Sequence, residues 1–309
     1  MVDSSKPAGP GPHMTPETMK MKVNYDGVIL TTIDVQDAPT EGRPNRVTFS
    51  DTTKGRKDDD DAVFLHNIRE VARTGEGYGT KVDYEADRLT TKDAMALLAQ
   101  DSRKVLFVIH GFNTQASFHL LDCTFANEKA KNVQIVPICW PSEGPMKDLL
   151  AGDIKASILC HSMGNRVFRH FADPTFKFDN IFLCAADVDG DIFHEDASAE
   201  KKEQAKNIVG MLSDENEGNV HVIYNKKDDK LGQSKFMNLF EGERLGASGV
   251  RMEAQKRFFS LRSLSSVSDD CKDNIVNVVA TEKGFLYDYA KDHNYHFYDK
   301  TVEYYDEHA

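Results

Sequence analysis

The sequence predicts an α/β fold, a doubly wound and mostly parallel sheet flanked by helices. Six short apolar runs recur after residue 104, separated by segments of helical character: VLFVI (Val105–Ile109), VQIVPI (Val133–Ile138), ASILC (Ala156–Cys160), NIFLC (Asn180–Cys184), NVHVIY (Asn219–Tyr224) and NIVNVVA (Asn274–Ala280). Continuous apolar runs without polar alternation are typical of strands buried on both faces, as in a parallel sheet covered by helices.

The segments before these runs predict an N-terminal β-hairpin and one helix. Residues 1–20 are rich in Pro, Gly and Ser, so we expect a disordered N-terminal segment, followed by a single domain over residues 21–309. VILTTIDV (Val28–Val35) and RVTFS (Arg46–Ser50) have β-branched character, and we expect them to pair as a hairpin at one sheet edge. The charged run KGRKDDDD (Lys54–Asp61) is typical of a solvated loop. TTKDAMALLAQ (Thr90–Gln100) starts on a capping residue and predicts a helix packed on the sheet.

Two later connections have unusual lengths. The stretch from Ser142 to Lys155 has room for about two helical turns, which makes it a short crossover. In the long connection that follows Gly232, RMEAQKRFFSLRSL (Arg251–Leu264) has helical apolar spacing. It predicts a covering helix or a partial lid.

Composition limits the classes of partner and compartment. The 309 residues carry a net charge of −12, which argues against nucleic acid, because nucleic-acid binders concentrate Lys and Arg on one face. Five cysteines are an odd number, and four lie in or beside apolar runs, which indicates free thiols in a reducing compartment. No stretch has the roughly 20 apolar residues of a transmembrane segment, and the N-terminus lacks a signal-peptide core. We therefore expect a cytoplasmic protein, whose oligomeric state the sequence leaves open.

Polar and reactive residues follow the apolar runs. In a doubly wound sheet the reactive groups lie at the carboxyl ends of the strands. The segments found there are HGFN (His110–Asn113), WPS (Trp140–Ser142), CHSMG (Cys160–Gly164), AADVDGD (Ala185–Asp191), NKKDDK (Asn225–Lys230) and KDHNYHF (Lys291–Phe297). These segments hold the candidate functional residues.

The segment around Ser162 predicts a nucleophile elbow. A buried strand leads directly into a small residue, Cys160, then His161, Ser162, Met163 and Gly164, and the start of a helix. Small residues on either side let the strand and the helix pass closely, and the tight turn exposes the serine oxygen. We expect His161 to shape this turn, since it faces a different direction from Ser162.

These motifs, taken in order, resemble the α/β-hydrolase superfamily. HGFN, WPS, CHSMGNRV, DVDGDIF, an Asp-bearing strand end and a late His are most similar to a poorly characterised bacterial-type branch with HGYN-, WPS-, HSMGN- and DVD-like motifs. The resemblance covers residues 82–298. It implies a serine hydrolase that cleaves a carboxylic ester or thioester of a small-molecule acyl substrate, with no metal or organic cofactor.

The resemblance also implies roles for individual residues. Ser162 would be the nucleophile, and the backbone N–H groups of Met163 and Phe112 would form the oxyanion hole. The base would be His293, with His296 as the alternative. The acid would come from the end of the NVHVIY run, where Asp228 is preferred to Asp229; Asp187, after the preceding run, is the third candidate.

Other polar residues favour structural interpretations. We expect His110 to hold its loop. DVDGDIF begins like a calcium loop but has Ile192 and Ser198 where an EF-hand needs Gly and Glu, so Asp187 and Asp189 are expected to cap the following helix or support the site. The remaining histidines lack the HExxH or CxxC companions of a zinc site: His66, His119, His170, His194 and His221.

Two other functions fit the same motifs. A non-catalytic relative could use the fold for binding or as a scaffold. An acyltransferase would form the same acyl-enzyme and pass the acyl group to an acceptor other than water.

Overall fold

The computed structural model describes residues 26–31, 46–49, 64–74, 81–111, 114, 116–139, 155–213, 218–231, 243–250, 268, 271–285 and 292–309. The chain divides into two compact units, one that includes residues 157–296 and the other formed by residues 9–156 together with residues 297–309. Several sequence predictions lie outside the described residues: the disordered segment 1–20, the loop 54–61, the connection 142–154 and the helix or lid 251–264.

In the described residues of the unit that runs to residue 156 there are six strands and two helices, and the C-terminal segment adds a third helix. The strands are β1 (Asp26–Thr31), β2 (Arg46–Phe49), β3 (Phe64–Thr74), β4 (Lys81–Leu89), β5 (Lys104–Ile109) and β6 (Val133–Ile138). Helix α1 (Thr91–Leu98) follows β4, and α2 (Ala116–Lys129) joins β5 to β6. Strands β5, β6 and β1 are parallel, whereas β3 and β4 continue the sheet in antiparallel pairs.

The unit formed by residues 157–296 is a parallel sheet with helices between its strands. Its strands are β7 (Ala156–His161), β8 (Ile181–Cys184), β9 (Val220–Tyr224) and β10 (Ile275–Val279), and each pairs in parallel with the next. The helices α3 (Gly164–Phe171), α4 (Ala199–Gly210) and α5 (Leu245–Ser248) lie between them in sequence. A 3₁₀ turn precedes β10 (Lys272–Asn274), and another spans Tyr295–Phe297. The last helix, α6 (Asp299–His308), belongs to the other unit.

The predicted apolar runs are confirmed as strands. All six coincide with β5 to β10, and every residue of β7, β8 and β9 is buried. Burial on both faces is the reason that these strands lack polar alternation. The helix predicted at Thr90–Gln100 is also confirmed: it begins after Thr90, whose hydroxyl accepts a hydrogen bond from the Asp93 N–H at 3.2 Å. The fold is therefore α/β with a mostly parallel arrangement of strands.

The predicted N-terminal hairpin is wrong. Strand β1 pairs with β3 and β6, and β2 pairs with β4, so the two strands expected to form the hairpin are not neighbours. The antiparallel neighbours in sequence are instead β3 and β4. Strand β3 was missed because polar residues, His66 and Glu70, occupy buried positions and interrupt any apolar run. Strand β4 was missed because it alternates: Tyr84 and Ala86 are buried while Asp87 is exposed. This period of two is typical of a strand with one buried face.

Long-range contacts hold α6 within its unit. The Asp306 carboxylate accepts hydrogen bonds from the backbone N–H groups of Lys131 and Asn132, at 2.8 and 2.6 Å, just before β6. Lys129, at the end of α2, forms an ion pair with Asp299. No helix in the described part of the chain is both long enough and apolar enough to span a lipid bilayer.

Candidate active site

Ser162 lies in a tight turn between β7 and α3. Its φ angle is +53°, in the left-handed region that non-glycine residues rarely adopt. The turn is fixed from the neighbouring strand, since the Ser162 N–H donates to the Cys184 carbonyl at 3.0 Å and the Ser162 carbonyl accepts from the Asp187 N–H at 3.2 Å. Strained backbone of this kind persists only where the surrounding structure fixes it. The geometry is that expected of a nucleophile elbow.

The side chain of Asn165 closes the turn from inside α3. Its amide nitrogen donates to the carbonyl of Cys160 at 2.9 Å and to that of Ser162 at 3.0 Å. Asn165 is buried, so these bonds satisfy carbonyl groups that water does not reach. Burial also raises the pKa of the Cys160 thiol well above its ordinary value. Cys160 is therefore a neutral packing residue of the turn.

His293 lies within hydrogen-bond distance of the Ser162 hydroxyl. The His293 Nε2 atom is 2.8 Å from Ser162 Oγ, and Nδ1 is 2.6 Å from Asp228 Oδ2. A carboxylate can only accept, so Nδ1 carries a proton and donates it to Asp228. In the neutral imidazole Nε2 is then the acceptor, and it faces the serine hydroxyl. This tautomer is the one that a general base requires.

Asp228 is held by the turn that follows β9. Its N–H donates to the Asn225 carbonyl at 3.0 Å, and its Oδ1 accepts from the Leu231 N–H at 3.0 Å. Residues 229–231 are helical, so Asp228 also acts as an N-cap. Its side chain is fully buried, and both carboxylate oxygens have a donor. The other acid candidates lie elsewhere: Asp229 is exposed, and Asp187 pairs with arginines.

Met163 is the first of the two predicted oxyanion donors. It is the residue immediately before α3, and the backbone N–H groups at the start of a helix have no partner within that helix. Such an N–H can donate to an anion beside Ser162. Phe112, the second predicted donor, lies outside the described residues.

The DVDGD segment forms an ionic network beside the elbow. The Asp187 carboxylate lies 3.2 Å from Arg166 Nη2 and 3.2 Å from Arg244 Nε, and Asp189 lies 3.0 Å from Arg244 Nη1 and 3.2 Å from Lys201 Nζ. These cations neutralise both carboxylates. The expectation that the aspartates cap the following helix is wrong, because α4 is capped by Ser198, which accepts from the Lys201 N–H at 3.3 Å.

Three other buried histidines occupy two different environments. His110 and His119 belong to the unit that ends at residue 156, where their rings meet edge to face at 4.9 Å. Burial lowers the pKa of His110 to about 4. His296 is buried in the 3₁₀ turn and stacks on His161, with ring centroids 3.7 Å apart. His296, the alternative base, therefore contacts the His161 ring, whereas His293 contacts the Ser162 hydroxyl.

Sequence reasoning missed the contacts of three polar residues at this site. Arg166 and Arg244 support the DVDGD segment, and His161 donates from Nε2 to the His293 carbonyl at 3.0 Å. The apolar run before His161 gave its position beside Ser162, but its partner lies 132 residues further along the chain. No local pattern encodes such a contact.

Neither a metal-binding group nor a similar protein assigns a further role to the described residues of this site. Among the described residues, no group of three or more His, Cys, Asp or Glu side chains is arranged to hold a metal ion. Comparison with known proteins finds no matching family model, no similar curated protein and no similar solved structure.

Proposed function

We propose that this protein is a serine hydrolase that cleaves a carboxylic ester or thioester through an acyl-enzyme on Ser162. The observation that carries the proposal is the hydrogen-bonded chain from Asp228 through His293 to Ser162, with distances of 2.6 and 2.8 Å. A nucleophile, a base and an acid that orients the base make up a catalytic triad, which is identified by the geometry and roles of its members and not by their positions in the sequence.

In the first half of the reaction Ser162 Oγ attacks the carbonyl carbon of the substrate. His293 Nε2 accepts the hydroxyl proton, and the Asp228 carboxylate stabilises the resulting imidazolium. The carbonyl oxygen becomes an anion, to which the Met163 N–H would donate; a donor of this kind contributes about 10²–10³ in rate. The tetrahedral intermediate collapses when the bond to the leaving group breaks. The alcohol or thiol departs with the proton from His293.

In the second half water releases the acyl group. His293 Nε2 removes a proton from a water molecule, whose oxygen attacks the acyl carbon. Collapse of the second tetrahedral intermediate breaks the ester bond to Ser162 Oγ, which recovers its proton from His293. The net reaction consumes one water and yields a carboxylic acid and an alcohol or thiol.

We also propose that the fold is that of the α/β-hydrolase superfamily. Three features support it: Ser162 follows β7, Asp228 follows β9, and His293 follows β10. Each follows a parallel strand, and their order along the chain is that of this superfamily.

A fluorophosphonate probe and nitrophenyl esters of graded acyl length test the proposal. We expect the wild type to be labelled and to hydrolyse some of these esters, and Ser162→Ala to lose the label and at least about 10³-fold in kcat. Ser157→Ala is the matched control: this serine is also buried, on the same strand, and its Oγ accepts from the Asn180 N–H at 3.1 Å. It should keep both label and activity.

Three results would contradict the proposal. If the folded wild type resists the probe, the protein is better explained as a non-catalytic binding or scaffold relative. If Ser162→Ala is still labelled, the nucleophile is a different residue. Labelling at Ser162 together with ester turnover only when an alcohol or thiol acceptor is added would favour the acyltransferase instead.

A further inference from the structure

The segment that carries His293 is attached to the ends of two strands through its own backbone. The Asn225 side-chain amide, after β9, donates to the Asp292 carbonyl at 3.1 Å. His161 Nε2, at the end of β7, donates to the His293 carbonyl at 3.0 Å. Side chains from the sheet therefore hold two consecutive carbonyl groups of this segment.

The His161 ring makes a second contact with the same segment. It stacks on His296, with ring centroids 3.7 Å apart and planes inclined by 12°. Both rings are buried. One imidazole therefore contacts the base segment at two points, by a hydrogen bond at residue 293 and by stacking at residue 296.

We propose that His161 is a positioning residue that sets the orientation of the His293 imidazole; the inference rests on the proposed function. The carbonyl that His161 holds belongs to the same residue whose ring bridges Ser162 and Asp228. A shift of that carbonyl moves the ring relative to two hydrogen bonds of 2.8 and 2.6 Å. Since a misplacement of about 1 Å can cost about 10² in rate, this one contact matters for catalysis.

The position of His161 next to the nucleophile explains why this residue suits the role. Ser162 and His161 share one peptide bond at the end of β7. The donor that holds the base segment is therefore fixed by the same backbone that fixes the nucleophile. Any movement of the strand end carries both groups together, so the distance between Ser162 and His293 is preserved.

Two substitutions separate the hydrogen bond from the ring contact. His161→Phe keeps an aromatic ring for stacking on His296 but has no donor, whereas His161→Gln keeps an N–H donor of similar reach. The matched control is His221→Phe on β9: His221 is also buried, stacks on Phe182 at 4.8 Å and pairs with the Asn180 side chain at 3.1 Å. If His161→Phe does not fold, His161→Met, whose flexible side chain adapts to irregular spaces, replaces it.

We expect His161→Phe to lower kcat for a nitrophenyl ester about 10- to 100-fold with little change in KM. His161→Gln should recover most of this loss, and His221→Phe should stay within about twofold of wild type. A kcat for folded His161→Phe equal to that of wild type, or a His161→Gln variant no better than His161→Phe, would overturn the inference.

A spectroscopic measurement tests the inference without relying on turnover. The proton that His293 Nδ1 donates to Asp228 should give a low-field proton NMR resonance, assigned by its absence from His293→Gln. We expect the resonance in wild type and His161→Gln and its loss through exchange in His161→Phe. An unchanged resonance in His161→Phe overturns the positioning role. A wild type that shows the resonance but resists the fluorophosphonate contradicts the hydrolase proposal alone.

Discussion

At the scale of single residues, the buried carboxylate of Asp228 determines which tautomer His293 adopts. Both of its oxygens accept hydrogen bonds, one from the Leu231 N–H and one from His293 Nδ1. An asparagine at this position could present an N–H₂ group to Nδ1 and favour the opposite tautomer. Nε2 would then carry the proton and could not accept one from Ser162.

Asp228→Asn should therefore lower kcat for ester hydrolysis by about 10³–10⁴-fold while the protein stays folded. Asp229→Asn is the matched control, because the neighbouring carboxylate is exposed and contacts the solvent instead of His293. Steady-state kinetics on both variants check the expectation. Equal losses in the two variants, or a larger loss in Asp229→Asn, would show that the acid is assigned to the wrong residue.

The positions of the candidate site residues were predicted from the strand that precedes each of them. The segments that hold Ser162, Asp228 and His293 were predicted because each follows an apolar run, and the carboxyl ends of parallel strands meet at one edge. The choice of these residues within their segments came from the resemblance. The hydrogen bond from His161 to the His293 carbonyl could not be found in this way. It depends on the path of the chain after β10, which no periodicity describes.

At the scale of elements, Arg244 links helix α5 to the loop after β8. Arg244 directly precedes α5, its side chain is 2 % exposed, and it faces Asp187 and Asp189. Removing one partner from a buried ionic group costs about 3–5 kcal/mol, and the lower end applies here, because Asp187 keeps Arg166 and Asp189 keeps Lys201. Arg166 also faces Asp187, but its side chain is 29 % exposed, so water compensates part of its loss.

We expect Arg244→Met to lower the free energy of unfolding by about 3 kcal/mol and Arg166→Met by about 1 kcal/mol. Urea denaturation of the two variants measures the difference. Adding Asp187→Asn to Arg244→Met should restore part of the loss, because the double variant no longer buries that charge. The ionic network would be unimportant to stability if both arginine variants unfolded at the same urea concentration.

A buried acid on α2 provides a second test at this scale. Asp122 is buried, and its Oδ1 has no hydrogen-bond partner among the described residues. Burial raises the pKa of this carboxyl well above its ordinary value. The folded state therefore holds the proton at pH values where the unfolded state has lost it, and stability falls as pH rises above about 4.

Asp122→Asn should remove this dependence, so its free energy of unfolding relative to wild type should increase between pH 5 and pH 8. Glu128→Gln, an exposed change on the same helix, should leave the pH profile as it is. Thermal or urea unfolding at the two pH values checks both. A constant difference between Asp122→Asn and wild type would mean that Asp122 is not protonated in the folded state.

Elements with continuous apolar runs were predicted correctly, and elements with one buried face were not. Strands β5 to β9 are recognised because nearly all their residues are buried, and β10 because four of its five residues are Ile or Val. In β4 apolar residues alternate with charged ones, and in β3 the polar residues His66 and Glu70 occupy buried positions, so neither strand contains a continuous apolar run. The hairpin error has a similar origin: adjacency in sequence favoured pairing of β1 with β2, whereas β1 pairs with β3 and β6.

At the scale of the whole molecule, acid should destabilise the fold through buried neutral histidines. Burial lowers the pKa of His110 from 6.5 to about 4, and burial together with the neighbouring His110 lowers that of His119 well below 6.5. Between pH 6.5 and 4 the unfolded chain therefore binds more protons than the folded one. By linkage, the stability that neutral His110 and His119 contribute near pH 7 is lost as pH falls through this window.

For His110 alone the difference between pH 7 and pH 5 amounts to about 2 kcal/mol in the free energy of unfolding. His110→Gln does not titrate and can still donate to the Gly111 carbonyl, which His110 Nδ1 contacts at 2.8 Å. We expect urea unfolding across this pH range to show a shallower acid-side slope for His110→Gln than for wild type. His170→Gln, at an exposed position, should follow the wild-type slope. The Asp122 carboxyl changes stability in the opposite direction, so the effect of His110 is measured as the difference in free energy of unfolding between His110→Gln and wild type at each pH. Parallel pH profiles for the two proteins would refute the expectation.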